Sequence, residues 1–160
     1  VDAMPTIIIE TLIEAPIERV FDLARSIDLH RLSTRQTNEQ VIAGKTSGLI
    51  GLGETVTWRA KHFGIYQKLS VVITEFNRPF SFTDRMLKGA FAAMEHQHQF
   101  ELVDTGKTLM RDLFTFKAPL GILGRFAERL FLSAYMRKFL ISKNKILKRV
   151  AEGEEWKEVF

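Results

Sequence analysis

The chain has 160 residues, 46% of them hydrophobic and 26% charged, with a formal net charge of +4 and no cysteine. That composition fits one soluble globular domain spanning 1–160, and it excludes disulfides and thiolate metal sites. No apolar run approaches the roughly 18–20 residues of a membrane span, no signal-peptide pattern opens the chain, and the lack of cysteine fits a reducing, cytoplasmic setting.

Met4 reads as the natural start behind Val1-Asp2-Ala3. Thr6 to Ile13 reads as a first strand, ended by Ala15-Pro16. Pro16, taken as the first helical position, opens a short amphipathic helix with Ile17, Val20, Phe21 and Ala24 on one face. Asp28 is placed to cap a second short helix running to about Leu32, and His30 on or near that helix is expected to face solvent, with closure of the cavity mouth as the alternative. A weak strand over 39–43 precedes a glycine-rich turn at Gly44, Gly48, Gly51 and Gly53. From Glu54 onward the pattern predicts a meander, with strands over 54–62, 65–76, 79–87, 91–103 and 107–117. Pro119-Leu-Gly-Ile-Leu-Gly124 breaks it. Leu123, Phe126, Ala127, Leu130, Phe131, Ala134, Tyr135 and Ile141 then recur at helical spacing, which predicts a long helix to about Val150 buried against the sheet.

The most informative run is Phe91-Ala-Ala-Met-Glu-His-Gln-His-Gln-Phe-Glu-Leu-Val103. At a period of two, Glu95, Gln97, Gln99 and Glu101 share a solvent face, while Met94, His96, His98, Phe100 and Leu102 share the apolar one. Buried imidazoles need partners. Asp104-Thr105-Gly106 supplies one by setting the register of the next hairpin. A three-residue loop pairs Val103 with Lys107, and then His98 with Asp112, His96 with Phe114 and Phe100 with Met110. His98 and Asp112 fall within reach of a hydrogen bond.

Strand, two short helices, six-strand meander and closing helix together predict an α+β architecture, a curved antiparallel sheet gripping the last helix with a cavity between them. This order resembles the helix-grip fold of the START and polyketide-cyclase-like (SRPBCC, plant-allergen-like) superfamily. The residues that carry the resemblance are Ile-Glu-Ala-Pro-Ile-Glu-Arg-Val-Phe21, the glycine-rich turn before Gly53-Glu-Thr-Val-Thr-Trp58, Glu75-Phe-Asn-Arg-Pro-Phe80, and Pro119-Leu-Gly with its helix. The resemblance implies ligand binding in many members and cyclase or dehydratase chemistry on polyketides in some. It supplies no shared catalytic set.

Alternation places Glu54, Val56, Trp58, Ala60 and His62 inward on one strand, and Phe80, Phe82, Asp84 and Met86 inward on another. Apolar walls with a few convergent polar groups suit a small-molecule site. The ligand-binding set is accordingly Trp58, His62, Phe82, Asp84, Met94, His96, His98, Phe100, Asp112 and Phe114. It is expected to take a mostly apolar or amphipathic molecule whose polar head meets His96, His98 and Asp112. As an enzyme, the protein would use His98 as the acid–base group oriented by Asp112. A His-x-His pair also suits zinc or iron, with Asp112, Asp84 or His62 as candidate further ligands, but the register does not place a third ligand, so neither metal nor cofactor is assigned.

Residues 120–150 hold eight basic side chains against the single acid Glu128, a local charge of +7 against −3 for the rest. A solvated helix face explains this, and docking on an anionic ribosome or membrane surface is the alternative. The test of docking is whether Lys138, Lys143, Lys145, Lys148 and Arg149 share one exposed face. Nucleic-acid binding lacks the interleaved aromatics that single strands need. Gly44-Lys45-Thr46 lacks the glycine of a P-loop at Glu39, and Gly51-Leu-Gly53 lacks the third glycine of a dinucleotide fingerprint.

Overall fold

The computed structural model describes residues 4–119 and 131–160. In chain order the main elements are β1 (Thr6–Ile13), α1 (Ile17–Ala24), α2 (Ile27–Ser33), β2 (Gln40–Gly44), β3 (Thr55–His62), β4 (Ile65–Asn77), β5 (Ser81–Gly89), β6 (Ala93–Asp104), β7 (Lys107–Lys117) and α3 (Ser133–Glu152). The strands form one antiparallel sheet in the order β1-β7-β6-β5-β4-β3-β2. The meander runs from β2 to β7, and β1 returns to pair with β7. This is the helix-grip α+β architecture.

Local chemistry sets the joints. Pro16 stands one residue ahead of the first helical turn of α1, as its N-cap rather than its first helical residue. The cap of α2 is Ser26, whose hydroxyl accepts from the Leu29 amide, and not Asp28. Asp28 instead accepts from the Gly48 amide and ties α2 to the glycine-rich turn. At the β3–β4 hairpin Phe63 and Gly64 both have positive φ, 53° and 75°, the conformation of a two-residue primed turn. Glycine meets that demand freely, whereas Phe63 meets it at a steric cost. A Cβ at Gly44 would lie 2.3 Å from the Thr55 carbonyl oxygen, so glycine alone lets β2 approach β3 there.

The β6–β7 register is His98 opposite Asp112, His96 opposite Phe114 and Phe100 opposite Met110. The tip differs from expectation: Lys107 pairs with Asp104 rather than Val103, because a bulge between Leu102 and Asp104 absorbs one residue. Leu102 keeps the inward register but lies close to the hairpin tip, and it is exposed. Two other inward expectations fail because the strands start later. Phe80 belongs to the turn, donating its amide to the Asn77 carbonyl, and is exposed. Glu54 belongs to the preceding turn, where its carboxylate takes the Gly51 amide and Lys45.

Helix α3 buries Met136, Leu140, Asn144, Leu147, Val150 and Ala151. Each large apolar side chain on that stripe contributes about 1.5–3 kcal/mol on burial, so packing holds the helix in place. Ala134 and Ile141 face away from the stripe. The expected Leu123, Phe126, Ala127 and Leu130, with Arg125, Glu128 and Arg129, lie outside the described residues.

The basic residues of α3 do not share one face, which corrects the docking arrangement. Lys148 Nζ donates to the Leu12 carbonyl at 2.5 Å and pairs with Glu152 at 2.6 Å. Lys143 turns inward to the cavity, while Lys138, Lys145 and Arg149 remain exposed. Lys148 thus occupies the open edge of β1, a place where unpaired carbonyls invite foreign strands. Among the described residues no helix is long and apolar enough to cross a membrane.

Candidate functional site

A cavity of about 350 Å³ lies between the concave face of the sheet and helices α2 and α3. Alternation on β3, β5, β6 and β7 points Trp58, His62, Phe82, Asp84, Met94, His96, His98 and Phe114 onto its wall. Val71 and Ile73 of β4 and Met136, Phe139 and Leu140 of α3 complete the apolar part. Two residues of the expected set stand off this wall. Phe100 packs under α1, 5.2 Å from Phe21 between ring centres. Asp112 is 2% exposed and lies behind the histidines.

The polar heart of the wall is a chain of two carboxylates and two imidazoles. His96 Nε2 donates to Asp112 Oδ1 at 2.8 Å, and His98 Nε2 donates to Asp84 Oδ1 at 3.1 Å. His98 Nδ1 lies 3.4 Å from the same Asp112 oxygen. Asp112 is therefore shared, and its shorter contact is to His96 rather than to His98, its cross-strand neighbour. The ring centres of the two histidines are 3.8 Å apart, and Phe82 stacks on His98 at 4.2 Å. Asn144 completes the set from α3, its Nδ2 donating to Asp112 Oδ2 at 2.6 Å.

Electrostatics follows from this geometry. Burial works against an ionised Asp112, but His96 and His98 outweigh it and hold the carboxyl well below the ordinary range. Burial likewise opposes ionisation of Asp84, and His98 again reverses it, lowering the pKa. For His98, burial disfavours the charge while Asp112 and Asp84 restore it, so the pKa rises. His96 goes the other way, because burial and the charge of His98 together exceed the help from Asp112. The ring facing two carboxylates is the better proton holder.

A second polar group lies nearby on the wall. His30 is not solvent-exposed: it lines the cavity and stacks on Trp58 with ring centres 4.1 Å apart. Its Nε2 is 3.2 Å from Glu39 Oε2, outside hydrogen-bond geometry. Burial, then the charge of Lys143, lowers the His30 pKa. Glu39 would be pushed up by burial, but His30 and Thr34 bring it below its usual value. At the rim, His62 Nδ1 and the Tyr135 hydroxyl are 2.5 Å apart, and Phe63 packs on Tyr135 at 4.5 Å. Glu39, Lys143 and Asn144 were missed from sequence. Asn144 alone left a signal, sitting three residues before Leu147 and four after Leu140.

No family model matches the chain, and no curated protein matches it at the sequence level. Solved structures do match over nearly the whole chain. A Thermus thermophilus protein is similar at 20% identity, covering 91% of this chain and 95% of its own, with a TM-score of 0.73. A START superfamily protein from Mycobacterium smegmatis is similar at 11% identity, over 92% of this chain and 97% of its own, with a TM-score of 0.70. A major latex-like protein from Panax ginseng is similar at 13% identity, over 95% of this chain and all of its own (100%), with a TM-score of 0.69. The fold is the START-like helix-grip fold.

Proposed function

We propose that the protein binds a mostly apolar small molecule with one polar head in the cavity between the sheet and α3. The observation that carries this reading is the wall itself. A mostly apolar cavity of about 350 Å³ is lined on one side by a contiguous polar stripe. Binding sites for small molecules have this build, at volumes of roughly 300–1,000 Å³. The ligand body lies against Trp58, Phe82, Met94 and Phe114, and the head meets His98 and Asp84. Asp112 supports the histidines from behind. Such a role suits a cytoplasmic protein that carries or senses a sparingly soluble molecule.

Native mass spectrometry tests this. The protein as purified, or after incubation with 1-anilinonaphthalene-8-sulfonate (an apolar probe with one anionic head), is expected to carry one noncovalent organic adduct. A bare mass under both conditions contradicts the reading.

One observation supports a second reading, acid–base chemistry of the cyclase or dehydratase kind. His98 lies on the cavity wall with Asp112 behind its Nδ1 and the cavity-lining Asp84 at its Nε2, so it exchanges a proton with a bound molecule that takes the place of Asp84 at Nε2. On that reading His98→Ala lowers turnover by about 10²–10⁴-fold while the probe still binds.

A further inference from the structure

Asp112 takes one nitrogen from each ring of the histidine pair, Nε2 of His96 at 2.8 Å and Nδ1 of His98 at 3.4 Å. It is itself held by Asn144 at 2.6 Å. A carboxylate behind an imidazole, fixed in turn by a further hydrogen bond, is how proteins orient histidines toward a metal ion. The other nitrogen of each ring remains outside the reach of Asp112. In front of the rings stands Asp84, with its Oδ1 3.1 Å from His98 Nε2.

One donor atom from each of Asp84, His96 and His98 lies within 4.8 Å of the others. Neighbouring ligands held about 2.0–2.2 Å from one ion are themselves about 3 Å apart, so the Asp84–His98 spacing already matches. All three residues line the cavity, which leaves coordination positions on that side for water or a ligand head. With both rings neutral, Asp84 and Asp112 carry two negative charges, which a dication neutralises. Glu39 adds a third carboxylate on the wall, which among the described residues also carries the cations Lys143, Arg25 and Lys68.

We infer that Asp84, His96 and His98 form a binding site for a divalent transition-metal ion, with Asp112 as the positioning residue for both imidazoles. Two nitrogens and one oxygen without sulfur select the zinc and iron(II) class rather than copper(I). The site shares the cavity with the proposed organic ligand but does not depend on one.

Cobalt(II), a coloured stand-in for zinc, tests the site on chelator-stripped protein with no organic molecule added. The expected result is saturable one-to-one uptake with a visible ligand-field band, abolished by zinc(II). Asp84→Asn, nearly isosteric and at the cavity wall, is expected to weaken uptake at least tenfold with the fold retained by circular dichroism. Asp112→Asn is expected to weaken it 10–100-fold, the effect typical of residues that orient a ligating histidine, with an altered band. If cobalt(II) shows no saturable uptake below millimolar concentration, or binds Asp84→Asn as well as the parent, the inference is overturned. The anilinonaphthalene adduct, measured separately, then decides the fate of the cavity reading by itself.

Discussion

Asn144 of α3 donates a 2.6 Å hydrogen bond to Asp112 of β7, and this contact joins the gripped helix to the polar stripe of the sheet. Both residues are buried, at 5% and 2% exposure. Asn144→Leu replaces the donor with an apolar group of similar size and leaves a buried carboxylate one partner short. Breaking such an arrangement costs about 2–4 kcal/mol. Urea unfolding followed by circular dichroism is expected to show that loss. A change below about 0.5 kcal/mol, the scale of neutral surface substitutions, contradicts it.

Asp22 binds α1 to the β4–β5 turn. Its carboxylate accepts from Arg78 at 2.6 and 3.1 Å and from Arg25 at 2.8 Å. Burial raises its pKa, but the two guanidinium groups overcome this and lower it below 3.8. A carboxyl with a folded pKa below its unfolded one stabilises fully above the unfolded value. The contribution fades as pH falls through the folded value. Asp22→Asn is therefore expected to cost about 1 kcal/mol at pH 7, a discounted figure because the pair is partly solvated. The variant and parent are expected to converge in stability once the pH has fallen through the folded pKa of Asp22, which lies below 3.8. A gap that persists there contradicts the ionic origin.

His30 gives a second pH signature, of opposite origin. Burial, with Lys143 beside it, lowers its pKa from 6.5, while Glu39 and Asp84 oppose the shift without reversing it. The unfolded state then binds a proton that the folded state refuses, so the His30 contribution is complete above about pH 6.5 and declines as pH falls below it. Proton NMR of the His30 ring is expected to show a midpoint below 6.5. Glu39→Gln, which removes the adjacent opposing charge, is expected to lower that midpoint further. A midpoint above 6.5 contradicts the placement of His30 inside the wall.

The meander and the register of its last hairpin were legible because alternation and turn chemistry are local signals. Asp104-Thr105-Gly106 sets the pairing of His98 with Asp112 whatever the rest of the chain does. The bulge between Leu102 and Asp104 belongs to that turn and brings His98 opposite Asp112. Strand starts were less legible: Glu54 and Phe80 continue the alternation, yet their backbones are spent on turns at Gly51 and Asn77. His30, Glu39 and Lys143 reach the cavity through the docking of α2, β2 and α3, which no local pattern encodes. Lys143 hid inside a run of cations, and the edge-capping role of Lys148 depends on where α3 lies against β1.

Lys148 bonds the Leu12 carbonyl at the open edge of β1 while pairing with Glu152. Lys148→Met keeps the aliphatic stem and removes the charge. The expected loss is small, about 0.5–1 kcal/mol, since the group is partly exposed. Hydrogen exchange is expected to quicken along β1 and its partner β7 before the rest of the sheet. Uniform exchange across the sheet contradicts the edge role.

The ligand cavity is tested most directly by titrating 1-anilinonaphthalene-8-sulfonate into the parent protein and into Ala60→Phe. Ala60 is a small residue on the β3 wall, 5% exposed, so a phenyl ring there occupies the space the probe needs. The expected result is saturable one-to-one binding to the parent and its loss in a variant that keeps its circular dichroism spectrum. Equal binding by both proteins, or no saturable binding by the parent, contradicts it.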